Sequence, residues 1–437
     1  MSGELRAFES RAVRRTMHEV RDPRVLLHTV RAFSTVRKGG SVKLFSVPAD
    51  FRTSTIDRLA ELNSRHDDAV VAETYGSLTT GGFCGSGRAR PGLPEIDPAE
   101  LERYVAYAAE RRIDFNYTLN ASCAGNEELT ALGLWRAERF LTRLWDSGVR
   151  HLTVTLPTLM AIVEQSEHPF SVKASTICQI GSVYKARHYR ARGLDRMVID
   201  EDITRDFRRI RQICVAFGDG VEMIVNSVCM RECPNKMFHY NHESHYSTAQ
   251  DVLSFYGHHC TTSEALEPLD VMRVSWVRPE DLGLYEQAGI HRFKIQGRHA
   301  TATGDLLRAV ESYMDGHHRG NLWELLWLFD TQSQPDATYP FIDNVALEGF
   351  LQPFFDDPDF CTDDCEACGH CASYAAASMS SEATRHLFAT AAERLAARTE
   401  PLAAYARTPA RSKAAEHLAR RLRAAAADAR RRVGPRL

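Results

Sequence analysis

Short β-branched runs alternate with helix-length segments through most of this 437-residue chain, and that alternation constrains the fold more than any other feature. The runs stand at Val42–Val47, Ala69–Tyr75, Phe115–Leu119, Leu152–Thr155, Phe170–Lys173, Met197–Ile199, Glu222–Val225 and Arg292–Ile295. Between most of them lie stretches of helical periodicity, such as DPAELERYVAYAAERR and ITRDFRRIRQICVAFG. Eight such units predict an α/β protein, a (β/α)8 TIM-like barrel over residues 40–325. The competing arrangement, a doubly wound open sheet, expects a glycine-rich dinucleotide turn after the first strand. The segment found there, LFSVPADFRTS, offers none. The cadence breaks once, after the seventh strand, where residues 229–290 insert three cysteines, many histidines and an extra strand-like run, VMRVSWV. An insertion at the C-terminal end of a barrel strand lies on the catalytic face.

The flanks read differently. Residues 1–39 look helical, are charged throughout and lack the apolar stretch of a secretory signal. Residues 326–380 form a Pro- and Asp-rich, then Cys-rich, extension, and residues 381–437 an Ala/Arg-rich helical tail. In a chain of net charge −3, residues 401–437 carry ten Lys or Arg against Glu416 and Asp428. A solvated helix face is the expected role of this tail, with nucleic-acid contact as the alternative. No apolar run approaches the roughly 20 residues of a membrane helix, so no membrane span is expected and the cytoplasm is the expected compartment. With 44% apolar and 25% charged residues, the chain is neither a disordered protein nor a small disulfide scaffold.

Eleven cysteines in a chain expected to be cytosolic point to metal ligands or reactive thiols rather than disulfides. The segment VNSVCMRECPNKMFHYNHESHYS begins as a strand and is expected to break at Cys229. Cys229, Cys233 and Cys260 then place three thiols on the catalytic face, enough for three corners of an iron–sulfur cluster or, with a histidine, for zinc. A cubane needs a fourth ligand. Cys84, in the glycine-rich loop after the second strand, is favoured; Cys123 after the third and Cys178 after the fifth compete with it. Cys214 sits in a helical context and reads as a small core residue. A second group, Cys361-x3-Cys365-x2-Cys368-x2-Cys371, puts four thiols into eleven residues. Its first three cysteines have the radical-SAM spacing, but the motif follows the barrel and Cys371 can close the site. The expectation is a structural or electron-transferring centre, a second [4Fe–4S] cluster or zinc.

Other candidates follow from position. His239, His242 and His245 recur every three residues and so share roughly one face of a helix. His239 is the acid–base candidate, because histidine titrates near neutrality. Asn120, Ser175, Asn226, Lys294, Gln296 and Arg298 end strands or follow them closely, and supply amide, hydroxyl and cationic groups for a small polar or carboxylate substrate. Lys294 and Gln296 are expected on one strand face, with Lys294 a catalytic candidate and Arg298 a carboxylate clamp. The alternative for Lys294 is an ion pair with an acid inside the barrel. No G-x-S-x-G or H-E-x-x-H signature is present.

Taken together, the strand succession, the cysteine-bearing loop after the seventh strand, VKASTICQI, YTLNAS and above all AGIHRFKIQGR resemble peptidase family U-32, the collagenase-like family, over roughly residues 40–320. The resemblance implies a barrel closed by a KIEGR-like strand, here Lys294, Ile295, Gln296, Gly297 and Arg298. Relatives in that family include oxygen-independent hydroxylases of ubiquinone synthesis and RNA-hydroxylation proteins. They imply a four-cysteine [4Fe–4S] cluster and, in several cases, prephenate as oxygen donor. One of them takes a ligand from the loop after its second strand, which favours Cys84. Two departures mark a divergent branch: Gln296 replaces the usual Glu, and Cys229-x3-Cys233 replaces a wider cysteine pair. The expected function is therefore an iron–sulfur-dependent, oxygen-independent oxidoreductase, a hydroxylase, with an electron-transfer or hetero-oligomeric protein partner. The alternatives are a peptidase-type hydrolase with zinc at the same cysteines, and an RNA-modifying or RNA-binding protein.

Overall fold

The computed structural model describes residues 41–90, 92–248, 256, 260, 267–330, 340–393, 396–397 and 418–419. The expected N-terminal helical segment lies outside them, as does nearly all of the basic tail.

Eight parallel strands close into a barrel: β1 (Lys43–Pro48), β2 (Ala69–Gly76), β3 (Asp114–Leu119), β4 (His151–Val154), β5 (Ser171–Ala174), β6 (Arg196–Val198), β7 (Val221–Ile224) and β10 (Arg292–Lys294), with β1 between β2 and β10. Helices α1 (Thr53–Arg65), α2 (Pro98–Glu110), α3 (Ala131–Asp146), α4 (Pro157–Gln165), α5 (Val183–Ala191) and α6 (Phe207–Phe217) follow the first six strands in turn. Their starts are written locally. Asp97 and Glu100 form a reciprocal capping box at α2, with Pro98 in the first turn. Thr130 accepts from Gly133 N–H at α3, and Asp206 caps α6. On α6 the buried Phe207, Ile210, Ile213 and Phe217 recur at helical spacing and press against the barrel. Cys214 lies half-buried on the same helix and packs against the core, where burial pushes its thiol up to about 12.

The barrel interior is polar. Outward-facing Phe45, Val47 and Phe293 are wholly buried under the helices, while inward-facing Ser46, Glu73, Asn116, Thr153, Lys173 and Glu222 are buried inside. These six bond to one another. Lys173 Nζ lies 2.5 Å from Glu73 Oε1 and 2.6 Å from Glu222 Oε2, and Arg196 lies 2.8 Å from Glu73 Oε2. Ser46 donates to Glu73, Asn116 to Glu73 and Thr153 to Asn116. Burial opposes ionisation of Glu73, but Arg196 and Lys173 outweigh it and hold the carboxyl well below the usual range. Two cations and two carboxylates thus balance inside the barrel.

The excursion after β7 starts from an antiparallel ribbon, β8 (Asn226–Met230) with β9 (Val274–Trp276), the extra run visible in the sequence. Pairing of Met230 with Val274 carries β8 past Cys229, so the chain does not break there as expected but after Met230. Helix α7 (Lys236–Tyr246) contains the three spaced histidines; α8 (Pro268–Met272), α9 (Leu282–Gln287) and α10 (Leu306–Asp315) complete the barrel segment. Beyond it, the described extension holds helices at Cys365–Cys368, His370–Ser378 and Glu382–Ala389.

Candidate functional site

Helix α7 is a lid tied to three strand-end loops. Ser122 N–H, after β3, donates to Ser244 Oγ, and Ser122 Oγ donates to Asn241. After β2, Ala89 N–H donates to Glu243 and Ser86 N–H to Ser247. A Cβ on Gly85 would stand 2.1 Å from Ser247 Oγ, and Gly85 has φ +68°, so only glycine fits this approach. After β6, Lys236 pairs with Asp200 and Asp202, and Tyr240 donates to Glu201. His239 lies 3.6 Å from Glu243 and stacks on Tyr256. Burial opposes ionisation of Glu243, yet His239, Arg88 and the Ala89 N–H hold it at about 2.

Under this lid, β10 delivers Lys294 and the turn after it Arg298. They are 8% and 7% exposed. Lys294 does not join the interior ion pairs. Its Nζ lies 3.8 Å above the Tyr75 ring, and Lys173 takes the two carboxylates instead. Tyr75 is two residues nearer the strand end than Glu73, so the amine turns toward the barrel mouth. Burial, with the neighbouring Lys173 and Arg298 charges, pushes Lys294 down to about 7 against the pull of Glu222 and Glu73. Arg298 donates through one nitrogen to Ser77 Oγ (3.0 Å) and Thr118 Oγ1 (2.8 Å) and bonds to no carboxylate among the described residues. Burial and Arg88 lower it to about 10, against Tyr75, Tyr117 and Glu243. Next to it, burial and Arg88 push His299 down to about 3, and its Nδ1 has no hydrogen-bond partner among the described residues. Arg88 thus acts on Arg298, His299 and Glu243 at once.

The other expected substrate groups are committed to the scaffold. Asn226 is fully buried, donates to Gln296 O and Leu326 O, and accepts from Gln296 N–H. Gln296 Nε2 returns to Asn226 O, so Gln296 folds back on Asn226 rather than sharing a strand face with Lys294. The strand has ended at Lys294. Ser175 caps the short turn after β5 by accepting from Ile177 N–H. Asn120 holds the Cys84 loop by accepting from Gly87 N–H.

The thiols divide. Cys229 is raised well above its usual range by burial, Glu201 and Cys260, against Lys236 and Arg88, so Cys260 and Arg88 both stand within reach of it. Cys233 lies on the loop that follows. Cys84 is also raised, by burial and by Glu128 and Glu127, and opens with Cys123 and His245 on a cavity of about 690 Å3 whose walls do not include Cys229, Cys233 or Cys260. Cys178 directs its sulfur to Thr155 O and Val154 O. As the side chains stand, no three His, Cys, Asp or Glu among the described residues are grouped to hold a metal ion.

A closed barrel with a balanced polar interior, two buried cations toward its C-terminal mouth and a helix from the seventh-strand excursion tied to its strand-end loops has the layout of a TIM barrel. Residues 80–251 match the family model described as peptidase family U32. An uncharacterized protease of Methanocaldococcus jannaschii is 27% identical over 338 residues, 75% of this chain and 96% of that protein. Over these residues the chain is similar to peptidase family U32. Among solved structures, a U32 peptidase aligns at 19% identity over 60% of this chain and 96% of its own, with a TM-score of 0.42. A D-psicose 3-epimerase of Clostridium cellulolyticum H10 aligns at 8% identity over 68% and 99%, with a TM-score of 0.31. No helix among the described residues is long and apolar enough to cross a membrane.

Proposed function

We propose that this chain, like the U32 peptidases it resembles, is an enzyme, and that it takes a small carboxylate- or phosphate-bearing substrate at the barrel mouth and moves a proton through Lys294. The observation that carries the reading is the pair Lys294 and Arg298, both nine-tenths buried and neither bonded to an acid among the described residues. A buried cation without a counter-charge is costly, and an incoming anion offsets that cost. Ser77 and Thr118 fix the Arg298 guanidinium from one side, which leaves its other N–H groups for a carboxylate or phosphate. Arg88 adds a second cation beneath the lid. Lys294, near half-protonated at pH 7, both gives and accepts a proton at Nζ. Helix α7 keeps bulk water from the site.

Within this reading we favour an oxygen-independent oxidoreductase, with a [4Fe–4S] cluster on Cys229, Cys233, Cys260 and Cys84. Its support is the adjacency of Cys229 and Cys260 and the reach of Arg88 to both Cys229 and Arg298. Cys84 opens on a cavity that Cys229, Cys233 and Cys260 do not line, so the four thiols would meet around a cluster only after the loop that follows β2 moves toward Cys229. Hydrolysis of peptides is the second reading, and the protease-named relative favours it.

Titration calorimetry with a panel of di- and tricarboxylates and phosphate esters tests the site. Arg298→Ala should weaken the best ligand by about 10- to 100-fold while the fold persists, the loss of a charged hydrogen bond. Failure of every anion to bind at millimolar concentration refutes the reading. Iron and sulfide content after anaerobic purification, set against digestion of a peptide library, separates oxidoreductase from hydrolase.

A further inference from the structure

The C-terminal cysteines have a buried cation beneath them. Arg205, from the loop after β6, is 5% exposed. One of its nitrogens donates to Val274 O at 3.0 Å, and its guanidinium lies over the rings of Phe350, Trp276 and Phe354 at 4.9, 5.2 and 5.8 Å. Its Nε has no hydrogen-bond partner, and no carboxylate bonds to it among the described residues. Phe350 and Phe354 also pack on His370, and Phe354 on Phe360, the neighbours of Cys371 and Cys361, so these thiols and the Tyr285 hydroxyl are the acidic groups near Arg205. A second arginine, Arg231 at the end of β8, lies 3.4 Å from Asp363, between Cys361 and Cys365, and its Nε is also unpartnered.

Two local turns fold the cysteine segment back on itself. Asp364 caps the turn Cys365–Cys368 by accepting from Ala367 N–H. Gly369, at φ +68°, then reverses the chain into the helix His370–Ser378 and brings Cys371 back. The Cys371 thiol feels Cys365, Cys361 and Cys368 together, and Arg205 in the opposite sense. Cys361 and Cys368 are exposed, and the four sulfurs are spread wider than one coordination sphere, so metal binding draws the loop inward.

We propose that Cys361, Cys365, Cys368 and Cys371 hold a closed four-thiolate metal centre of net charge −2, seated on Arg205 as its buried counter-cation. Four neutral thiols do nothing to offset a buried guanidinium. Four thiolates around a [4Fe–4S]2+ cubane or a Zn2+ ion both sum to −2, so the charge argument is common to the two. The aromatic shell of Phe350, Phe354 and Trp276 lowers the local dielectric and strengthens the attraction. The centre stands apart from Lys294 and Arg298, whose partners are Tyr75, Ser77 and Thr118.

The test uses the full chain purified without oxygen, with iron, zinc and acid-labile sulfide counted per chain. The double variant Cys365→Ser, Cys371→Ser should lose four iron and four sulfide, or one zinc, which also tells the two metals apart. Equal metal content in wild type and double variant overturns the site. Arg205→Gln should release that metal to a chelator at least about tenfold faster, and Arg205→Lys should restore most of the difference. Unchanged release from a fully loaded Arg205→Gln protein overturns the counter-cation. Should Arg205→Gln fail to fold, alkylation decides: in the wild type, Cys361 and Cys368 should resist iodoacetamide when loaded and react after chelation. Equal reactivity in the two states overturns the centre.

Discussion

Lys294 should cost the empty protein stability, and by an amount that depends on pH in a defined way. In the unfolded chain a lysine titrates near 10.5, whereas burial holds Lys294 near 7. Above pH 10.5 both states are neutral and the residue contributes nothing. As pH falls from 10.5 toward 7 the unfolded chain takes up a proton that the folded chain refuses, so stability falls. Well below 7 both states are charged and the penalty is constant. Linkage gives a penalty of about 2 kcal/mol at pH 9, about 3 at pH 8, about 4 at pH 7 and about 5 below pH 6. Lys294→Met keeps the length and apolar stem of the side chain and removes the titration. The variant should therefore be more stable than wild type at neutral pH, with the gap closing as pH rises.

Urea unfolding followed by circular dichroism from pH 6 to pH 10 measures this directly. A second reading comes from binding. An anion beside Lys294 favours its protonated form, so ligand binding at pH 8 should take up close to one proton. Calorimetry in buffers of different ionisation enthalpy counts it. The variant should bind without that uptake, and weakly. Two outcomes refute the reasoning: a Lys294→Met protein less stable than wild type at pH 7, or a stability gap that does not change between pH 7 and pH 9. Either would mean that Lys294 is charged and paired when folded.

Other outcomes follow from the same geometry. Lys173→Met strands Glu73 and Glu222 inside the barrel and should destabilise the fold by about 3–5 kcal/mol, seen as a lower urea midpoint. Glu243, held near 2 in the fold against an ordinary 4.5, contributes stability that is present above pH 4.5 and lost as pH falls toward 2. Glu243→Gln should remove that dependence and free the loop at Ala89, read as faster amide exchange there. In metal-free native protein, mass spectrometry after brief alkylation should find Cys361 and Cys368 modified before Cys84 and Cys229, whose thiols burial raises.

The barrel was legible because its strands repeat one pattern, and strand-sized β-branched runs at regular spacing leave few alternatives. Ends shifted by a residue, as at His151–Val154, because a strand stops where its partner's hydrogen bonds stop. The polar interior was missed, although its signal was present: Glu73 in AVVAETYG, Lys173 in SVKA and Glu222 in VEMI each put a charge inside an apolar run. Which charge meets which is not local, since Lys173 reaches Glu73 across 100 positions. Position alone also misjudged Asn226 and Gln296. Both stand at strand ends, where catalytic groups gather, yet their amides satisfy each other and the backbone. Arg205 carried no sequence mark at all, because what distinguishes it is the lack of an acid nearby.

That absence links the two candidate sites. Inside the barrel, Lys173 and Arg196 are matched by Glu73 and Glu222, so nothing there calls for a ligand. Among the described residues, Lys294 and Arg298 add two basic groups toward the mouth with no acid bonded to either, and Arg205 adds one near the cysteines. A fold that buries charge stays stable only if each charge finds its opposite, within the chain or outside it. Where the chain supplies the opposite, the charge is architecture. Where it does not, an anion from outside the chain is what we propose: an organic acid where hydroxyls and a near-neutral amine surround the cation, and a thiolate-bound metal where cysteines do.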